Sequence, residues 1–189
     1  MSLFEGNQGQ QIIEGISKQV GTSSSETKNV LMEALPSVLS SLQQNASNPS
    51  GAASLVQALS SKHDGSILDN LGDFFNKGGD ENDGNSILNH ILGSKKSNVS
   101  EAVSAKSGVS SSQVMKIIAL AAPVIMGYLG KQNKSKGNSS GGIGDLLGSL
   151  LGGSGNAKGG LSGMLDQNGD GKLGLDDLGG IMGSFMKKK

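Results

Sequence analysis

The sequence predicts an all-α protein: an internally duplicated helical domain of short amphipathic helices, followed by a glycine-rich tail that ends in a helix-loop-helix. Three observations predict it. Apolar residues recur at helical spacing in each candidate element, and no stretch sustains the period-two alternation of a half-buried strand. Gly21, Ser23, Ala34, Pro36 and Leu42 fall on Gly108, Ser110, Ala121, Pro123 and Leu129 when the chain is shifted by 87 residues without gaps, which is the signature of an internal repeat. Glycine concentrates after residue 137, where it lowers helix stability and leaves the last third looser than the body.

The elements follow in order. A first helix is expected over about 8–20, stopping at Gly21, a residue suited to the left-handed position after a helix end. A second helix opens with a capping box, Ser23 with Glu26 three residues on. Its apolar positions are Val30, Leu31, Ala34, Leu35, Val38, Leu39 and Leu42, all on one face. Shorter amphipathic pieces come next: Ala52–Lys62 around Leu55, Val56 and Leu59, Ser66–Phe75 around Ile67, Leu68 and Leu71, and Ser86–Leu92 around Ile87, Leu88 and Ile91. The second copy repeats the opening pair, a helix over 97–107 stopped by Gly108 and a long one capped by Ser110 with Gln113. Its apolar face runs Ile117, Ile118, Ala121, Ala122, Ile125, Met126 and Leu129. Pro36 and Pro123 lie at one register inside the two long helices, where a proline costs roughly 3 kcal/mol and bends the helix.

Three regions result: a duplicated body over 1–131 (repeats about 8–75 and 97–131), a Gly/Ser-rich linker over 132–160 that contains a short amphipathic helix at 143–151, and a loop segment over 161–189. Leu, Ile, Val and Phe make up about a quarter of the chain, above the roughly one-fifth below which disorder prevails. Formal charge is zero and every basic residue is lysine. A nucleic-acid partner is therefore not expected, since no field steers the chain to phosphate and no arginine reads a base edge. Cysteine is absent, which excludes disulfides and thiolate chemistry. No basic N-terminal region leads into an apolar run, and no stretch approaches eighteen consecutive apolar residues. The expectation is a soluble cytoplasmic protein without a signal peptide or a transmembrane segment.

The clearest chemistry lies in Asp166–Asp177. Asp166, Asn168, Asp170 and Asp177 place side-chain oxygens at loop positions 1, 3, 5 and 12, Gly171 takes the sharp turn, and Lys172 offers its backbone carbonyl. This is the spacing of an EF-hand-type calcium loop. Leu173 would anchor it to a core, between short flanking helices carrying Leu161, Met164 and Leu165 before and Leu178, Ile181 and Phe185 after. Asp177 stands where a bidentate glutamate is usual, and its shorter arm points to weaker binding or to a smaller ion such as magnesium. No second loop pairs with it, since Asp80-Glu-Asn82-Asp83-Gly84 lacks the spacing. An Asp/Asn/Gly turn without an ion is the plainer alternative.

Other polar residues read as structural. His90 sits among Ile87, Leu88 and Ile91, with Asp80 and Asp83 nearby in sequence as the polar partners on offer. His63 beside Asp64 reads as a loop residue. The serines at 23–25 and 110–112 are explained by capping, and Lys187–Lys189 suits a helix C-terminus.

Three stretches carry a resemblance to a known family: Asn45-Ala-Ser-Asn-Pro49-Ser-Gly51-Ala-Ala-Ser54-Leu55 with His63-Asp64-Gly65-Ser66-Ile67-Leu68, Gly84-Asn-Ser86-Ile87-Leu88-Asn-His90-Ile91-Leu92-Gly93, and Ala122-Pro123-Val124-Ile-Met-Gly127-Tyr-Leu129-Gly130. Over residues 8–131 the chain resembles the bacterial domain-of-unknown-function family 937, which includes the YidB-like proteins. The resemblance implies an all-helical domain and no reaction; the C-terminal loop lies outside it and looks like the single calcium loops of EF-hand and dockerin-like segments. The expected function is that of a non-enzymatic structural or interaction module that binds calcium and meets a protein partner or a second copy of itself. The alternatives are a nucleic-acid-binding helical module and a membrane-surface protein anchored by Ile143–Leu151, whose Gly, Ser and Asp polar face is poorly suited to anionic lipid.

Overall fold

A computed structural model describes residues 2–135 and Leu147. The chain divides into two compact units, Met1–Leu151 and Gly152–Lys189, and every described residue lies in the first. The expected loop residues Asp166, Asn168, Asp170, Lys172 and Asp177 lie outside the described residues. Among the described residues the elements are all helical: α1 Gly6–Val20, α2 Ser24–Ala46, α3 Pro49–Ser61, α4 Leu71–Asn76, α5 Glu81–Leu92, α6 Lys96–Ser107 and α7 Ser111–Ser135, with single 3₁₀ turns at Ser2–Phe4, Ser66–Asp69 and Gly93–Lys95.

The ends are set by local chemistry. Gly21 and Gly108 close α1 and α6 in the left-handed conformation, with φ of 75° and 74°, which costs a residue with a side chain more than it costs glycine. Ser23 and Glu26 form the reciprocal capping box at α2. At α7 the Gln113 N–H donates to Ser110 Oγ at 3.4 Å. Asp80 caps α5, accepting from the Asp83 N–H at 2.8 Å, so α5 begins five residues before the expected 86. Gly84, Asp83 and Asn82, which resemble turn residues in sequence, lie inside this helix.

α7 is the axle of the domain. Every residue from Ile117 to Gly127 is buried, as expected of a helix that is apolar all round. By length and hydropathy alone it could cross a membrane, but 78% of its most apolar window is buried inside the body. α5, α6, α1, α2 and α3 all pack against it. Leu147 is fully buried and belongs to the same apolar core.

Neither proline ends its helix. α2 runs continuously through Pro36, which is exposed, and α7 through Pro123, which is buried. Pro123 has no N–H to offer the Ala119 carbonyl one turn earlier. That carbonyl meets the backbone of Gly84 on α5, where any added Cβ would collide with it. The small residues Ala119, Pro123, Gly127 and Gly130 thus form one face of α7, spaced by three or four residues. Gly127 receives the Ile67 side chain, and Gly130 receives the carbonyls of Leu59 and His63. This close approach seats α5 and the end of α3 on the axle.

Candidate functional site

The packing opens a cleft of about 350 Å³ between the end of α2, α3, α5 and α7. Leu42, Leu55, Ala58, Ile87, Ile91 and Met126 supply its apolar wall, while Asn45, Ser54, His63 and His90 supply its polar groups. Gly51 completes the lining. A mostly apolar cleft with a few convergent polar groups has the form of a small-ligand or side-chain site.

Each polar group is placed by its own element. Asn45, in the last turn of α2, donates from Nδ2 to the carbonyls of His90 and Ile91 at 3.3 and 3.5 Å. These contacts tie the α2 end to the α5 end. Ser54 donates to the Ser50 carbonyl at 2.9 Å within α3. His90 lies in the last turn of α5, exposed at the rim. His63 follows the α3 C-terminus; its N–H donates to the Ala58 carbonyl at 3.1 Å.

His63 is the unusual member. Its side chain is only 8% exposed, and its ring makes no hydrogen bond among the described residues. Its Nε2 stands 3.7 Å from Asp83 Oδ2, beyond hydrogen-bond reach. The ring also lines a second, more polar cavity of about 370 Å³ with Lys62, Ser66, Phe74, Asp80, Asp83 and Pro123. It therefore forms part of both walls, one facing apolar side chains and one facing carboxylates. Burial pushes the imidazole below its ordinary range, against the opposing pull of Asp83 and with help from Lys62. The neutral ring carries one donor and one acceptor nitrogen.

His63 and Asp83 are twenty residues apart in sequence, and only the packing of α5 on α7 brings them together. The residue beside His63, Asp64, is engaged locally: it accepts from the Ser66 N–H at 3.1 Å, and that bond holds its carboxyl below the usual range. His90, flanked by the same acids in sequence, does not meet them. The signal available in the sequence was Asp80 as a helix cap, which would have turned Asp83 inward. Among the described residues no three His, Asp or Glu side chains converge as a metal site.

The three stretches that carry the family resemblance converge on this cleft. Asn45, Gly51, Ser54, Leu55 and His63 come from one, Ile87, His90 and Ile91 from another, and Met126 from the third. Residues 2–132 match the profile of a bacterial protein family of unknown function, DUF937. The chain belongs to that family. No curated protein matches the chain, and no solved structure does. The match ends within α7 and includes neither Leu147 nor residues 166–177.

Proposed function

We propose that this DUF937 member is a non-catalytic helical interaction module that binds through the α2–α3–α5–α7 cleft and carries a calcium loop in its C-terminal segment. The observation that carries the reading is the cleft itself: an apolar wall, with a buried His63 at its polar end whose ring is without a hydrogen bond among the described residues. A cleft so lined gains affinity by excluding water from apolar surface. The reading as non-catalytic is supported by the mostly apolar wall of the cleft, where the Ser54 hydroxyl donates within α3 to the Ser50 carbonyl.

In the tail, Asp166, Asn168, Asp170 and Asp177 with the Lys172 carbonyl supply the oxygens for Ca²⁺, with Mg²⁺ as the competing ion. An ion that binds only the ordered tail stabilises it by mass action. The expected affinity is weak, on the order of 10⁻⁴ to 10⁻³ M. A cytoplasmic location would leave the loop mostly without calcium, and cell fractionation tests that location. The matched pairs α1–α2 and α6–α7, each with a left-handed glycine and an interior proline, support descent from one duplicated helical pair.

Calcium titration of ¹⁵N-labelled full-length protein tests the tail: amide signals of residues 160–186 should move at millimolar calcium, and Asp170→Ala should abolish the movement. Silence across those amides would remove calcium from the proposal. Titration with apolar probes, described next, tests the cleft.

A further inference from the structure

We infer that the cleft takes a small uncharged apolar molecule bearing one hydroxyl or carbonyl group, with its chain on Leu55, Ala58, Ile91 and Met126 and its polar atom at His63. This rests on the cleft being the binding surface and goes further by naming the ligand class. Among the described residues the lining contains no lysine, aspartate or glutamate. A charged head inside it would lose water with no counter-charge in that lining, and the Asp83 carboxylate lies on the far side of the His63 ring, so its burial is costly. The Asn45 amide nitrogen and the Ser54 hydroxyl already donate to backbone carbonyls. His63 has spare hydrogen-bonding capacity: its side chain is more than nine-tenths buried, its ring has no hydrogen bond among the described residues, and it lines the cleft. Burial favours the neutral ring, which can donate to or accept from an uncharged polar atom and is a poor counter-charge for a carboxylate. The volume of about 350 Å³ lies at the small end of ligand pockets, so a compact molecule fits better than an extended lipid.

Full-length ¹⁵N-labelled protein titrated separately with 1-hexanol, hexanoate and hexylammonium at pH 7.5 tests this. Hexanol should shift the amides of Ala58, His63, Ile87, Ile91 and Met126 saturably, about tenfold more tightly than either ion, the margin set by desolvating a charge without a partner. Its saturation should also lower the midpoint of the His63 ring-proton titration, because a ligand that covers the ring favours the neutral form. Equal or tighter binding of either ion at the same amides would overturn the ligand class while leaving the cleft as the binding surface. Movement of the cleft amides with an unmoved His63 midpoint would overturn the placing of the polar atom. If none of the three probes moves those amides, both the ligand class and the cleft reading fall. Ala58→Phe should fill the cleft and abolish the hexanol shifts; Ser54→Phe at the exposed lip is a milder second variant that preserves the packed wall.

Discussion

At the scale of single residues, His63 and the small residues of α7 decide the most. Burial outweighs the attraction of Asp83 and shifts His63 in the fold towards its neutral form. Its folded pKa lies below its unfolded value, so the unfolded chain binds the proton first as pH falls. The stability tied to the neutral ring is complete above about pH 6.5 and is lost as pH drops from there towards the folded value. Urea midpoints measured from pH 5 to 8 should decline below about 6.5, and His63→Gln should flatten that part of the curve; an unchanged slope in the variant would assign the decline to other groups. Gly84 and Gly130 are tested the same way. A methyl at either would strike a backbone carbonyl, of Ala119 or of His63, and backbone cannot yield as a side-chain tip can. Gly84→Ala and Gly130→Ala should each cost about 3 kcal/mol, the upper part of the overpacking range. Gly72→Ala, which meets nothing within 4 Å, should have little effect.

At the scale of elements, the two prolines separate propensity from packing. Both interrupt a helix hydrogen bond, yet their surroundings differ. Pro36 is exposed on α2, whereas Pro123 is buried on α7 and frees the Ala119 carbonyl against which Gly84 packs. Pro36→Ala should raise the melting temperature, because it restores a helical bond at an exposed site. Pro123→Ala should lower it, because recovering the same bond disturbs the seat of α5 and opens space in the core. Calorimetry of the two variants gives the signs directly, and two shifts of like sign would be evidence against a packing role for Pro123. The helices themselves were legible: the capping box at Ser23, the stops at Gly21 and Gly108, and the apolar stripe of α2 all follow from local rules. The start of α5 was not. Asp80 to Gly84 has the composition of a turn; the Asp80 cap on the Asp83 N–H and the fit of Gly84 against α7 together make it helix.

At the scale of the whole molecule, the body extends past its most obvious boundary. Residues 132–160 read in sequence as a linker that contains a short amphipathic helix at 143–151, and Leu147 of that stretch is fully buried in the core shared by α1 to α7. Leu147→Ala should destabilise the body by about 2–5 kcal/mol, as buried leucine truncations do. Truncation after Ser135 should lower stability at least as far, whereas truncation after Leu151 should leave the body near its full stability. Chemical denaturation of the three variants checks this; a chain ending at 135 as stable as one ending at 151 would show that Leu147 contributes nothing to the body.

The sequence by itself determined the helical class, most helix caps, the apolar faces and the family, because these depend on neighbours within four residues along the chain. It also supplied the ligand spacing of Asp166–Asp177, a local pattern by nature. Tertiary structure alone decided that His63 faces Asp83, that α7 is the buried axle, and that three separate stretches close one cleft. Those outcomes depend on which backbones can approach closely. Here that approach is set by glycines and a proline whose role appears only when another helix lies against them.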